Sequence, residues 1–277
     1  MAEFKKLKIQ ADPSINDLIK KNAEEIINNE EVTSYLKDKN IVPTTEFVTK
    51  HLSTLLDLSD DLKICNGCLD TLKCPKERKY LIFDLKVNGD LLIRNFEYCS
   101  KYKIIDNIKR RFVFKDFPIE WVLKPISTID ISGYRTSILT SFYKIKRNPK
   151  ASLNNVKWLY LKGLNNTGKS YFLANLANAY ADFFKVNAGF INTPKKFSEL
   201  KELSITNKDE FAKQMEQLSQ VEILVLDDFG NEFVSDYIRD NIVISILNER
   251  ASNNLPTFIS SSYTINEIET LYATNKA

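Results

Sequence analysis

The pattern of hydrophobic and polar positions differs between the two halves of the chain. In the second half, short apolar runs typical of buried strands occupy residues 158–161, 188–192, 223–226 and 257–261. Segments with apolar residues at helical spacing lie between and around them, over residues 170–184, 197–203, 210–218 and 236–251. Strands that alternate with helices predict a mainly parallel sheet covered on both faces. The expected fold class is therefore α/β.

The first hundred residues predict a smaller domain that contains helices and a hairpin. Ser14 is expected to cap a helix that runs to about residue 29, and Thr44 or Thr45 to cap a second helix with apolar positions up to residue 56. Two strand-like runs, 79–87 and 91–98, flank Asn88-Gly89. An Asn-Gly pair between two such runs is a strong signal for a β-hairpin.

The segment between the two halves is unusually basic. Residues 101–115 contain six Lys and Arg side chains and a single acid, Asp106. We interpret residues 101–120 as a basic linker, either solvated or in contact with DNA phosphates. The expected domains are then 1–100, the linker 101–120, and 121–277.

Composition narrows the class of protein. The chain has 277 residues, of which 43% are apolar and 11% aromatic, enough to exclude wholesale disorder. A net charge of +3 does not by itself indicate a nucleic-acid-binding protein. The first ten residues lack the apolar core of a secretory signal, which predicts a cytoplasmic protein. The single histidine argues against a histidine-rich metal site and against Ser-His-Asp catalysis.

A phosphate-binding motif follows the first strand of the second half. Gly163-Leu-Asn-Asn-Thr-Gly168-Lys169-Ser170 fits G-x-x-x-x-G-K-[ST] between a predicted strand and a predicted helix. In such loops the backbone N–H groups face phosphate oxygens, the lysine reaches the β- and γ-phosphates and the hydroxyl ligates Mg²⁺. The residues expected to bind the nucleotide are Gly163, Asn165, Asn166, Thr167, Gly168, Lys169, Ser170 and Tyr171.

Two carboxylates follow the apolar run 223–226. Because ligands bind at the carboxyl ends of parallel strands, Asp227 is expected beside the phosphate loop, where it would hold Mg²⁺ with Ser170. Asp228 would orient or activate the attacking water. Two acids at an ordinary exposed strand end are the alternative. The two motifs lie about 60 residues apart in the required order, and together they predict binding of ATP and Mg²⁺.

All four cysteines, Cys65, Cys68, Cys74 and Cys99, fall within one 35-residue stretch. If Asn88-Gly89 forms a two-residue loop, Val87 faces Asp90 and Cys99 faces Arg78, so the hairpin returns Cys99 to the other three thiols. Four thiolates suit a closed structural Zn²⁺ site. His51 is an alternative fourth ligand, and free buried thiols or a redox dithiol are alternatives to the metal.

Taken with these motifs, the chain resembles bacterial helicase loaders of the DnaI and DnaC type, more closely DnaI. The resemblance rests on the phosphate loop and on Cys65-Asn-Gly-Cys68, Lys73-Cys74-Pro75, Leu226-Asp-Asp-Phe-Gly230, Asn248-Glu-Arg250 and Leu255-Pro-Thr-Phe-Ile-Ser-Ser261. It implies a zinc-binding N-terminal domain that binds the replicative hexameric helicase. It also implies a P-loop AAA+ ATPase domain that binds single-stranded DNA and self-associates.

The chain departs from that family's pattern in three places. The family's zinc site uses a histidine, and none follows Cys74. Ser262 stands closest to the family's polar sensor residue on the fourth core strand, so a catalytic role for Ser262 follows only from the resemblance. The chain stops at Ala277, before the family's arginine-finger segment, fifth strand and C-terminal sensor, so the expected AAA+ core lacks the lid. The chain is then either a shortened family member or one whose C-terminus is missing, and we expect nucleotide binding with weak hydrolysis.

Three other classes of protein fit parts of the pattern. An ATPase that assists a DNA transposase shares the core but often lacks the cysteine domain. A non-catalytic adaptor would keep the zinc domain for a protein partner and use the ATPase half as a structural relic. A P-loop kinase would need a substrate-binding segment, and the sequence offers no obvious one.

Overall fold

The computed structural model describes residues 13–68, 73–77, 79–88, 91–130 and 133–273. It divides into two compact units, with the division between Lys103 and Ile104. None of the helices in the described ranges is long and apolar enough to span a membrane. The predicted domain boundaries at residues 100 and 120 remain a proposal.

The first unit contains four helices, a hairpin and the start of a fifth helix. The helices are α1 (Pro13–Ile27), α2 (Glu30–Asp38), α3 (Thr45–Lys50) and α4 (Leu52–Asn66). The hairpin strands are β1 (Leu81–Asn88) and β2 (Leu91–Tyr98), and α5 (Ser100–Arg111) begins directly after them. Apolar side chains from α1 to α4 and from β1, among them Leu36, Val48, Leu55 and Leu85, form the core of this unit.

Local capping explains where these helices begin. Asn29 caps α2, a helix the apolar pattern did not predict, by accepting from the backbone N–H groups of Glu31 and Val32. Thr44 caps α3 by accepting from the N–H of Phe47. The second predicted helix is interrupted at His51, so residues 45–66 form two helices rather than one. Ser14 lies inside α1 and does not precede it, so its predicted role as an N-cap is wrong.

The hairpin has a different register from the predicted one. Val87 pairs with Leu92 and Asn88 with Leu91, so the prediction that Val87 faces Asp90 is wrong. Beyond the strands, the N–H of Cys99 donates to the carbonyl oxygen of Tyr80 at 2.8 Å. Cys99 therefore faces Tyr80, and Arg78 lies outside the described residues.

The second unit is built on a five-stranded sheet in which every pairing is parallel. Its strands are β3 (Phe112–Lys115), β4 (Leu159–Lys162), β5 (Ala188–Asn192), β6 (Ile223–Asp227) and β7 (Thr257–Ser261), and their order across the sheet is β3-β5-β6-β7-β4. The helices are α6 (Tyr134–Arg147), α7 (Lys169–Phe184), α8 (Thr193–Thr206), α9 (Lys208–Gln220), α10 (Ile244–Ser252) and α11 (Ile265–Ala273). The predicted α/β class is confirmed.

The basic segment is part of the fold. Residues 100–111 form α5, and residues 112–115 form β3, which pairs with β5 at the edge of the sheet. Residues 100–115 therefore have regular secondary structure, and the interpretation of residues 101–120 as a linker stays a prediction. Ile105, Ile108 and Phe112 are buried. Their apolar spacing is difficult to recognise in the sequence because basic residues surround them.

The middle strands of the sheet are buried on both faces, as parallel strands under helices should be. The predicted helix over residues 236–251 is a π-helical segment, Ile238–Val243, that continues as α10. Phe197, Leu226, Ile242 and Ile246 belong to one apolar cluster that holds these helices against β6. The carboxyl ends of β4, β5, β6 and β7 are thereby set side by side.

Candidate nucleotide-binding site

The predicted phosphate loop lies between β4 and α7, and two of its residues have backbone conformations that few side chains adopt. Gly168 has φ +77° and Asn166 has φ +62°, both in the left-handed region. Glycine occupies this region without strain, and asparagine tolerates it better than most residues. Asn166 can therefore adopt the backbone conformation that the loop needs, although many such loops have a glycine among these positions.

Lys169 closes the loop on itself. Its ammonium donates to the carbonyl oxygens of Gly163 at 2.7 Å and Leu164 at 2.9 Å. The Thr167 hydroxyl donates to the same Leu164 carbonyl at 2.9 Å. Lys169 is buried, so its charge is neutralised by backbone dipoles rather than by water. A phosphate group in the loop would replace these carbonyls with a stronger, charged acceptor.

Asp227 ends β6 and lies beside the start of α7. It accepts a hydrogen bond from the Ser260 hydroxyl at 2.5 Å. Burial raises the pKa of Asp227, and hydrogen bonds from Ser260 and Ser170 act in the opposite direction. The loop serine and the strand carboxylate, predicted to share Mg²⁺, are therefore close enough for Ser170 to lower the pKa of Asp227. The Ser170 hydroxyl and the buried Asp227 carboxylate are hard oxygen donors of the kind that Mg²⁺ prefers.

Asp228 follows in a strained conformation that turns the chain after β6. Its φ is +59°, and its backbone N–H donates to the Ser260 hydroxyl oxygen at 3.0 Å. Its carboxylate accepts from the Asn192 side-chain amide at 3.3 Å. Strain of this kind persists only where surrounding contacts hold it, and it is common at functional sites.

Two polar residues of this site were not assigned from the sequence. Asn192 pairs with Asp227 across β5 and β6 and contacts Asp228, and Ser260 on β7 contacts both acids. The position of Asn192 at a strand's carboxyl end was a signal for it. Nothing in the run Ser260-Ser261-Ser262 indicates which hydroxyl faces the carboxylates.

Ser262 and Tyr171 lie near the loop but contact groups other than the two acids. The Ser262 hydroxyl donates to the Asn165 side-chain oxygen at 3.0 Å, and its predicted catalytic role stays a prediction. The Tyr171 ring packs edge-on against Trp121, with ring centroids 5.9 Å apart. Neither contact tests the roles predicted for these residues. Nucleotide binding by Tyr171 stays a prediction, as hydrolysis by Ser262 does.

Arg135, at the start of α6, holds the outer side of the phosphate loop. Its guanidinium donates to the Thr167 carbonyl oxygen at 3.1 Å and lies over the Phe172 ring at 5.8 Å. A Cβ at Gly168 would lie 2.9 Å from the same guanidinium nitrogen. Because α6 itself was not predicted, no signal in the sequence placed Arg135 here.

The four cysteines line one cavity of about 190 Å³ in the first unit. Backbone N–H groups donate to two of the sulfurs, from Tyr80 to Cys74 at 3.2 Å and from Tyr102 to Cys99 at 3.3 Å. In the described ranges, no three His, Cys, Asp or Glu side chains are grouped closely enough to hold a metal ion. His51 lines a different cavity, next to Phe47, so the structure does not favour it as a ligand.

Arg250 is completely buried and is not available for DNA or for a neighbouring subunit. Its guanidinium donates to the carbonyl oxygens of Val221 at 2.6 Å and Pro256 at 2.8 Å, and to the Thr257 hydroxyl at 2.8 Å. It joins the end of α9 to the start of β7. Arg239 pairs with Asp236 and Asp240 on its own helix.

A parallel sheet with a phosphate loop after one strand and paired carboxylates after another defines the class of this fold, which is α/β and consistent with a P-loop AAA+ core. The chain is 25% identical over 262 residues to the replicative helicase loader DnaI of Bacillus subtilis (strain 168), covering 93% of this chain and 83% of that protein. The resemblance to helicase loaders of the DnaI type is confirmed.

Two solved structures of helicase loaders are similar to this chain over 58% and 55% of its length. A crystal structure of DnaI is 27% identical with a TM-score of 0.50, covering 58% of this chain and 84% of that one, and it supports the assignment of fold. A DnaC helicase loader is 20% identical with a TM-score of 0.47, covering 55% and 89%. No family model matches the chain.

Proposed function

We propose that this chain is an ATP-binding helicase loader, which helps to place a replicative hexameric DNA helicase on single-stranded DNA. The proposal is supported by similarity to a helicase loader over 93% of the chain. The observation that carries it is the position of the Lys169 loop directly beside Asp227 and Asp228. Assembly of the primosome is the setting in which such an activity would be used.

Each residue of the candidate site has a role in this proposal. The loop N–H groups and the N-terminus of α7 bind the phosphates, and Lys169 exchanges the Gly163 and Leu164 carbonyls for phosphate oxygens. Ser170 and Asp227 hold Mg²⁺, which neutralises phosphate charge when bound. Asp228, fixed by Asn192, orients the water that attacks the terminal phosphate.

We further propose that the first unit binds the helicase and that Cys65, Cys68, Cys74 and Cys99 hold a structural Zn²⁺ there. Support comes from the chemistry of the donors: four soft thiols line one cavity, and two of them accept backbone N–H bonds. No three of these thiols, all of which lie in the described part of the chain, are grouped closely enough to hold a metal as they stand, so the proposal requires them to draw together on the ion. A bound Zn²⁺ would cross-link the end of α4 to the start of α5 and so fix the hairpin between them. Self-association through the second unit belongs to the same proposal.

The decisive experiment is a pull-down of the host's replicative helicase with wild type, Lys169→Ala and Cys68→Ser, with and without ATP. We expect wild type to retain the helicase, Lys169→Ala to lose any response to ATP, and Cys68→Ser to lose the helicase itself. Lys150→Ala, an exposed lysine away from both sites, is the matched control. If wild type fails to retain the helicase, the loader function is refuted, whereas nucleotide binding is tested separately by a fluorescent ATP analogue.

A further inference from the structure

The turn that follows β6 contains a buried carboxylate to which the proposed function gives no role. Glu232 is 7% exposed and lies four residues after Asp228. One of its oxygens accepts from the backbone N–H of Gly230 at 2.8 Å, and the other accepts from the Tyr272 hydroxyl. Among the described residues, no lysine or arginine forms an ion pair with Glu232. A buried acid without a cation is tolerated only where hydrogen-bond donors satisfy its oxygens, so these two donors fix its position.

Tyr272 joins this turn to α11. Its ring stacks on Phe229, with ring centroids 5.7 Å apart and an angle of 13° between the ring planes. Its carbonyl oxygen accepts from the Arg239 guanidinium at 3.1 Å, so the same residue also contacts the π-helical segment. Such segments are uncommon and often occur at functional sites. The end of α11 is therefore attached both to the turn after β6 and to the segment that follows the turn.

The turn and α11 also meet at Gly230. This glycine has φ +94°, a backbone conformation that few side chains adopt. A Cβ at Gly230 would collide with the Ile268 side chain and lie 3.0 Å from the Tyr263 ring. The backbone of the turn and the position of α11 are therefore coupled, because neither can move far without displacing the other.

The same turn sets the direction of the Asp228 carboxylate. Asp228 has φ +59°, and a left-handed aspartate persists only where surrounding contacts impose it. On the upstream side, its backbone N–H donates to the Ser260 hydroxyl at 3.0 Å. On the downstream side, its carbonyl oxygen accepts from the N–H of Asn231 at 3.2 Å, and Glu232 holds Gly230. Asp228 is thus fixed from both sides, and Glu232 supplies part of the downstream support.

We propose that Glu232 is a positioning residue for ATP hydrolysis, which together with Tyr272 holds Asp228 in the orientation that places the attacking water. The inference rests on the proposed function, in which Asp228 orients that water. It assigns to Glu232 an effect on the rate of hydrolysis and not on the affinity for nucleotide, because the hydrogen bonds of Glu232 reach the turn and α11. Small displacements of a positioning group can lower a rate by as much as about a hundredfold.

The test compares the steady-state rate of ATP hydrolysis with the affinity for a fluorescent ATP analogue. Glu232→Gln leaves one acceptor oxygen for two donors, and Tyr272→Phe removes one of the donors. We expect each variant to lower kcat by about tenfold while KM and the analogue affinity change by less than about twofold. Tyr272→Phe is the milder change and carries the test if Glu232→Gln does not fold.

Two controls separate positioning from stability, with every variant assayed below its measured melting temperature. Glu269→Gln, the same substitution at an exposed position of α11, should behave as wild type. Ile246→Val removes a buried methylene group from the apolar cluster beneath β6, so it should lower the melting temperature and leave kcat unchanged. A loss of kcat in Ile246→Val as large as that in Glu232→Gln would overturn the proposal.

An Asp228→Asn background shows through which residue Glu232 acts. Glu232→Gln should lower kcat when Asp228 is present and should have no further effect on the residual rate of Asp228→Asn. Equal losses in the two backgrounds would overturn the proposal, and so would a wild type that hydrolyses ATP no faster than Asp228→Asn. Binding of the analogue and retention of the helicase by the same variants decide the proposed function separately.

Discussion

The Ser260 hydroxyl donates to the Asp227 carboxylate at 2.5 Å and accepts from the backbone N–H of Asp228 at 3.0 Å. One buried side chain thus connects the carboxyl end of β7 to both acids after β6. The bond to Ser260 opposes the effect of burial, which raises the pKa of Asp227. Ser260 thus favours the ionised form of Asp227 and orients its carboxylate.

Ser260→Ala should therefore weaken Mg²⁺-dependent nucleotide binding. Removing a partner from a buried acceptor costs about 1–3 kcal/mol, or about fivefold to 150-fold in affinity if the loss falls on the cation site. The measurement is the affinity for a fluorescent ATP analogue with and without Mg²⁺. Ser262→Ala is the control, because Ser262 contacts the loop through Asn165 instead. Equal Mg²⁺ effects in the two variants would contradict this role of Ser260.

The difference between Ser260 and Ser262 illustrates what the sequence could predict. The phosphate loop and the acids were predictable because their spacing and flanking elements are local signals. Which serine of Ser260-Ser261-Ser262 faces Asp227 depends on how β7 lies against β6, and a one-residue shift moves every side chain to the other face. The hairpin register was wrong by two for a similar reason, since Asn88-Gly89 favours a turn without deciding which pair closes it.

The sequence also failed to predict elements whose apolar spacing is weak or lies among many basic residues. The basic composition of residues 101–115 suggested a linker, but the apolar side of α5 and the strand β3 form part of the second unit. The helix α6 has little apolar periodicity, so Arg135 could not be placed against the loop. Tertiary packing decides such segments, and a single sequence carries little information about it.

Arg135→Ala should make the phosphate loop less rigid, because it removes the hydrogen bond to the Thr167 carbonyl. The guanidinium holds the Thr167 carbonyl and covers Phe172, so its loss frees the segment just before Lys169. We expect affinity for the ATP analogue to fall by about tenfold, equal to about 1.4 kcal/mol. Arg147→Ala, an exposed arginine at the end of the same helix, should leave affinity unchanged. Unchanged binding by Arg135→Ala would show that the loop is rigid without it.

Arg250→Met should destabilise the second unit severely. The guanidinium is fully buried and satisfies carbonyl groups after α9 and before β7, none of which methionine can reach. Burial lowers the pKa of Arg250 to about 9, so the group is still charged at neutral pH. We expect a loss of at least about 3 kcal/mol in the free energy of unfolding. Denaturant unfolding measures it, and Arg147→Met, at an exposed position of α6, should cost clearly less.

Tyr272→Phe should have a pH-dependent cost. The Tyr272 hydroxyl donates to the buried carboxylate of Glu232, which also accepts from the N–H of Gly230 at 2.8 Å. Burial raises the pKa of Glu232 above its usual 4.5, so its contribution to stability is complete below that value and is lost as the pH rises through the folded pKa. Above that pKa the ionised carboxylate depends most on the tyrosine donor.

The melting temperature of Tyr272→Phe should therefore fall further below wild type at about pH 8 than at about pH 5. Tyr160→Phe is the control, because the Tyr160 hydroxyl donates to a neutral acceptor, the Tyr263 carbonyl, at 2.7 Å. Its cost should be similar at the two pH values. An equal cost at both pH values for Tyr272→Phe would mean that Glu232 does not titrate in this range.

Cys99→Ser should release the metal proposed for the first unit, and His51→Asn should not. Cys99 lines the same cavity as Cys65, Cys68 and Cys74, whereas His51 lines another one. We expect about one zinc ion per chain in wild type and in His51→Asn, and a large loss in Cys99→Ser, measured by elemental analysis after removal of loose metal. Because zinc would join α4 to α5, Cys99→Ser should also lower the melting temperature of this unit. Zinc-free wild type, or a variant pair with the reverse behaviour, would refute the four-thiol site and leave the cysteines as a reduced, apolar cluster.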